Sequence, residues 1–145
     1  MYSFPLEFDI SSTNTELPLG VRVVIDNVTI YDNARVTESY HFCHNIADID
    51  GEHELAIELY NKLPIHTEIN SSGEIVQDAL ITIENIQFDG IEVSPISTIN
   101  LFTYHHDFNG TQAPVADKFY GVLGCNGQVK MKFATPIYLW LLENM

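Results

Sequence analysis

Val76-Gln-Asp-Ala-Leu-Ile-Thr-Ile-Glu-Asn-Ile-Gln-Phe-Asp-Gly90 is the stretch whose reading decides the fold class. Ala79, Ile81 and Ile83 alternate with Leu80, Thr82 and Glu84, the period of a strand with one buried face. The phase slips at Glu84-Asn85, because Ile86 and Phe88 resume the alternation on even numbers. One extra residue there makes a β-bulge, which bends a strand and re-aims side chains at a sheet edge. Asp89-Gly90 closes the run with a turn signal. Regularity of this kind marks scaffold. It directs the search for function to the neighbouring Asp48–Glu54 stretch and the loop His105–Ala116.

Outward from that strand the same period recurs. Val21, Val23 and Ile25 alternate with Arg22 and Val24, and Leu55, Ile57 and Leu59 with Glu54 and Glu58. After Pro95, Ile99, Leu101 and Thr103 read as another strand. Asn126-Gly127 between two apolar runs is a hairpin signal, since a type I′ turn needs positive φ at both central residues. Ile137–Leu142 fits a buried strand or a helical turn equally. Roughly nine strands at spacings of about 8–12 residues specify an all-β fold, a jelly-roll-like antiparallel β-sandwich in a single domain. The sandwich is expected over 21–145, preceded by an irregular arm over 1–20. In that arm Tyr2, Phe4, Leu6 and Phe8 alternate, which suits an edge strand or an apolar assembly arm for a neighbouring molecule.

Six Lys and Arg face twenty Asp and Glu in 145 residues, a formal charge of −14. That balance speaks against nucleic acid, whose phosphates need clustered cations, and against an anionic bilayer. The cations are scattered along the chain, with only Lys130 and Lys132 on one short strand. Cys43 and Cys125, the only cysteines, sit in apolar runs and read as small buried hydrophobes. The start has neither a basic n-region nor an apolar h-region, so no secretory signal is expected.

Motifs with chemistry are few. Asp48, Asp50 and Glu52 alternate around Gly51, as in the front half of a calcium loop, though the rest of that pattern is absent. Tyr104, His105, His106 and Asp107 open the longest non-periodic segment and suit contact with a carbohydrate or a partner. Tyr31, Tyr40, Tyr60, Phe102, Tyr104 and Tyr120 supply aromatic faces near strand ends, where a ring beside acids and amides is the chemistry of a sugar site. No nucleophile elbow, P-loop, dinucleotide fingerprint or zinc-protease motif is present, so no catalytic residue is assigned and no enzyme is expected.

Gly51-Glu-His-Glu-Leu-Ala-Ile-Glu-Leu-Tyr-Asn-Lys62, followed by Asp78–Gly90, resembles the small jelly-roll carbohydrate-binding modules that bind xylan with calcium. The family's calcium cluster and sugar-facing loop have no match here. This resemblance implies a jelly roll and, by extension, sugar and calcium. Phe119–Gly127 and Pro136–Asn144 are similar to uncharacterised proteins of tailed, especially marine, bacteriophages. That second resemblance implies a non-catalytic virion protein, made in the host cytoplasm, whose partners are other virion proteins or its own copies, as a decoration, tail or fibre-associated subunit. The alternatives are a calcium-assisted carbohydrate-binding module and a glycoside hydrolase-like enzyme.

Overall fold

The alternation becomes pairing in the computed structural model, which describes residues 2–145. In chain order come β1 (Ser3–Ser12), β2 (Gly20–Ile25), β3 (Val28–Asn33), β4 (Tyr40–Ala47) and β5 (Gly51–Tyr60). A short 3-10 turn leads to β6 (Thr67–Ile69), β7 (Ile75–Asp78), β8 (Ile81–Phe88) and β9 (Ile91–Glu92). Then follow α1 (Pro95–Leu101), β10 (Thr103–His106), β11 (Val115–Lys118), β12 (Val122–Leu123), β13 (Gly127–Thr135) and α2 (Ile137–Asn144).

One sheet runs β12-β8-β1-β4, with β9 added to β8, and the other runs β11-β10-β13-β5-β2-β3. β6 and β7 form a separate ribbon. All pairings are antiparallel, so each sheet can bury one face and leave the other in water. Phe4, Leu6, Phe8 and Ile10 of β1 and Ile81, Ile83, Ile86 and Phe88 of β8 face Leu55, Ile57, Leu59, Val129, Met131 and Phe133 in one core. Phe88 and Phe133 meet across the layers, their ring centroids 5.2 Å apart. The all-β sandwich expected from the sequence is the architecture found.

The bulge on β8 lies where the phase slips. Glu7 pairs with Gln87 and Asp9 with Glu84, so three steps of β8 span two of β1. Asn85 takes the strain, with φ of +56°.

Four expectations change. The arm over 1–20 is not free over Ser3–Ser12. β1 pairs with β4 on one side and β8 on the other, as an inner strand rather than an edge. Phe4, Leu6, Phe8 and Ile10 are all buried in the core between the two sheets. Tyr2 stays exposed, and Met1 lies outside the described residues.

Asn126-Gly127 is a crossing between layers and not a hairpin turn. β12 pairs with β8 in one sheet, while β13 pairs with β10 and β5 in the other. The Asn126 carboxamide accepts from Lys62 N–H and donates to Lys62 O, both at 2.9 Å, so its side chain fixes the crossing. Gly127 is needed because an added Cβ would collide with His105 O and lie 2.9 Å from His106 Cβ. Two-residue turns with both central φ positive stand instead at Asp26-Asn27 (+51° and +65°) between β2 and β3 and at Asp89-Gly90 (+52° and +79°) between β8 and β9, where the turn signal was read.

The segment after Pro95 coils into α1 instead of a strand. Ser94 Oγ accepts from Ser97 N–H at 3.2 Å and Pro95 fills the first turn, a start signal that outweighs three alternating residues. The Ile137–Leu142 ambiguity resolves as the helix α2. Asp48 Oδ1 accepts from Ile137 N–H at 2.8 Å, and Trp140 packs 5.7 Å from Phe88 and 6.3 Å from Phe133.

The fourth change concerns a thiol. Cys43 points outward on β4 and is exposed, while Cys125 is half-buried, and neither is in a disulfide. Strand parity decides this. Phe42 turns into the core, so Cys43 turns away.

Candidate functional site

β8 is covered unevenly along its outer edge. β12 pairs with it only at Ile81 and Thr82, and β9 only at Gln87 and Phe88. Between them, where the bulge sits, an open groove of about 580 Å3 forms under α1. Buried Ile83, Ile86 and Val93 and half-buried Ile99 make its apolar floor. Its rim is polar and aromatic, with Thr82, Glu84, Asn85 and Glu92 beside Tyr120, a residue 70% exposed. Gly121 lets Tyr120 stand there. It takes φ of +90°, and its carbonyl accepts from Ile83 N–H at 2.8 Å. An apolar floor, one free ring and several hydroxyl-binding groups suit a ligand with a flat apolar face and a polar periphery.

A hydrogen-bonded chain holds Asn85 from behind. Asn85 Nδ2 donates to Asp9 Oδ2 at 2.8 Å, and Asp9 Oδ1 lies 2.7 Å from His41 Nδ1. His41 Nε2 lies 3.1 Å from Glu7 Oε1. Carboxylates only accept, so an imidazole between two of them needs a proton on each nitrogen. Asp9 first, and Glu7 second, therefore raise the His41 pKa above its ordinary value. The Asn85 amide first, and His41 second, hold the Asp9 carboxyl below the usual range. The signs oppose. The raised imidazole stabilises the fold fully below about pH 6.5 and loses that contribution as pH climbs through its raised value. The lowered carboxyl stabilises it above its ordinary value, and this is lost as pH falls through the depressed one. Comparing urea midpoints of the protein and its His41→Asn variant should show a deficit near about pH 5.5 that vanishes by about pH 9. A deficit that grows with pH would contradict the assignment.

The residues singled out by sequence disperse. Asp48 caps α2, and Asp50 and Glu52 are exposed at the start of β5. Among the described residues no group of three or more His, Cys, Asp or Glu converges closely enough to hold a metal ion. Asp48, Asp50 and Glu52 thus do not fit a calcium centre as they stand. His105, His106 and Asp107 line a second open groove of about 490 Å3 together with Pro114 and Asn126. His105 faces outward from β10, and His106 turns inward, with Nε2 2.8 Å from Asp117 Oδ2. Tyr104 offers no ring face, being 6% exposed with its hydroxyl bonded to Cys125 O.

Of the other aromatics, Phe102 is buried and Tyr60 lies under the Arg22 guanidinium at 4.5 Å. Tyr31 and Tyr40 stack on each other at 4.2 Å. Only Tyr120 among the six is both largely exposed and set beside a groove. Glu92 and the contribution of α1 were missed from the sequence. The signal present was Ser94-Pro95 with Ser97, a helix start that fixes where the groove ends.

No protein-family model matches the chain, and no curated protein matches it. Two solved structures are similar. One is vCBM60, from work on an evolutionary link by circular permutation between two families of calcium-dependent carbohydrate-binding modules, with 12% identity over 90% of each chain and a TM-score of 0.50. The other is vCBM60 in complex with galactobiose, with 14% identity over 90% of this chain and 97% of that one, and a TM-score of 0.47. At such identities the first likeness is one of fold alone: the chain is an all-β sandwich similar in architecture to vCBM60.

Proposed function

We propose that the chain is a non-catalytic glycan-binding module that holds its ligand in the groove at the β8 bulge. The observation that carries this is the Tyr120 ring, standing free over an apolar floor with Thr82, Glu84, Asn85 and Glu92 around it. The face of a sugar ring stacks on an aromatic while its hydroxyls bond to carboxylates and amides. A β-sandwich similar to a carbohydrate-binding module is compatible with this role but does not specify it. The virion-subunit reading has no such support. Its assembly arm is occupied as an inner strand between β4 and β8. The module reading was the alternative from sequence, and its calcium does not enter here, since the acidic trio does not converge.

The test is binding of the full chain to neutral glycans, measured by calorimetry with calcium and again with a chelator. Tyr120→Ala should weaken binding at least tenfold, about 1.4 kcal/mol, while leaving the circular dichroism spectrum intact. Chelation should change nothing, and no reducing sugar should be released. Unaltered affinity in Tyr120→Ala would remove the groove from consideration, and affinity lost on chelation would restore an ion to the site.

A further inference from the structure

The groove at the β8 bulge lies in a sheet without Lys or Arg. β1, β4, β8, β9 and β12 carry none, and α1 above the groove carries no charged side chain. The charges present there are carboxylates. Glu84 and Glu92 line the groove, and neither forms an ion pair among the described residues. Their neighbours add to the same sign. Glu84 pairs in register with Asp9, and Glu92 with Gln87, which in turn pairs with Glu7. Glu7 and Asp9 alternate with buried Leu6 and Phe8, so both face outward. His41 stands beside them and is already bonded to both. Lys118, two residues before Tyr120, does not line the groove and pairs opposite Thr103 in the other sheet.

The polar groups also share a hydrogen-bonding sense. Ionised carboxylates only accept. Asn85 has its Nδ2 engaged by Asp9, which leaves its side-chain oxygen as a free acceptor. The face of an exposed ring such as Tyr120 is the negative side of an aromatic quadrupole and attracts a cation laid over it. Ring, amide and carboxylates thus favour one kind of group, a hydrogen-bond donor with positive charge. A metal ion needs more convergence than this, since no three or more His, Cys, Asp or Glu come together among the described residues. A basic peptide fits less well than a sugar. Ile83 N–H donates to Gly121 O and Val93 N–H to Ile86 O, both at 2.8 Å, so an added strand finds the β8 edge already bonded there.

We propose that the glycan held in this groove is a polymer of amino sugars, with protonated amines bound by the Tyr120 ring and the Glu84 and Glu92 carboxylates. This rests on the glycan-binding reading above and specifies its substrate class.

The experiment compares oligosaccharides of equal length on one β-linked glucan backbone, built from glucose, N-acetylglucosamine or glucosamine. They differ at a single position, which carries a hydroxyl, an acetamide or an ammonium. Calorimetry at about pH 5.5 keeps sugar amines protonated and free carboxylic acids ionised. The intact chain should bind the glucosamine form about tenfold more tightly than either neutral form at about 50 mM salt, and the gap should narrow at about 300 mM. The double variant Glu84→Gln, Glu92→Gln should lose that preference. Glu68→Gln with Glu74→Gln, which removes the same charge outside the groove, should keep it. The inference is overturned if the intact chain shows no preference, if the groove variant retains it, or if the two double variants lose it equally. Polylysine binding as tightly as the glucosamine form would make the groove a site for basic peptide, and overturns it too. Binding of neutral glycans without this preference would leave the glycan-binding reading standing alone. Failure of every glycan, neutral and cationic, would sink both.

Discussion

Replacing Lys62 with alanine should lower the unfolding free energy by about 3 kcal/mol, near the lower end of what breaking a buried ion pair costs. The Lys62 side chain is 1% exposed, with Nζ 2.7 Å from Asp78 Oδ1 and donating to Gly124 O at 2.6 Å. Thr67 Oγ1 donates to the same Asp78 oxygen at 2.8 Å. One ammonium thus joins the end of β5, the β6–β7 ribbon and the crossing into β13. Removing it leaves Asp78 without its counter-charge, and because the Asp78 side chain is 25% exposed, water recovers part of the loss. Lys62→Met keeps the apolar stem and should cost nearly as much, which separates charge from packing. Adding Asp78→Leu to Lys62→Met should then restore most of the stability, as happens when both partners of a buried pair become apolar. Urea unfolding of the parent, Lys62→Met, Asp78→Leu and the double variant closes the cycle. A single-variant loss below about 1 kcal/mol would mean that the pair behaves like an exposed one.

Phe88→Ala should be as damaging, at about 3–5 kcal/mol. Phe88 has no exposed surface and stands 5.2 Å from Phe133, 5.7 Å from Trp140 and 6.4 Å from Phe4, so both layers and α2 meet on one ring. Phe88→Leu, which leaves a smaller void, should cost well under half of that. The chain has a single tryptophan, Trp140, so its fluorescence reports on this cluster alone. The alanine variant should red-shift that emission while it is still folded, as water reaches a ring now 8% exposed. An unshifted emission would show that α2 is held from elsewhere.

These two sites differ in how far the sequence foretells them. Phe88 belongs to an alternating run, and alternation is a local property, so its burial and the slip at Glu84-Asn85 were legible without the fold. Lys62 was not, because nothing near it in sequence distinguishes a buried lysine from a solvated one. Its partners come from Asp78 and Gly124, and only the crossing at Asn126 brings them together. The groove is likewise a product of distant pairing. Thr82, Glu84 and Asn85 lie in the stretch that first suggested the fold, but the opening beside them exists because β12 and β9 stop short of each other. The free ring of Tyr120 was visible only as one aromatic among six. Lys118 and Lys130 likewise become neighbours only through β10. Local pattern revealed the strands; their juxtaposition needed the register.

The inner position of β1 constrains how the molecule comes into being. Its partners end at Ala47 and Phe88, so a strand made within the first dozen residues waits for one made some seventy residues later. During synthesis its apolar face has only β4 to lean on until β8 leaves the ribosome, and the first sheet closes late. Loop-closure entropy delays such pairing, so sheet completion should set the pace of folding. A cut that removes Ser3–Ser12 would not trim a border. It would leave β4 and β8 facing an empty slot, open to any extended chain that supplied the missing alternation.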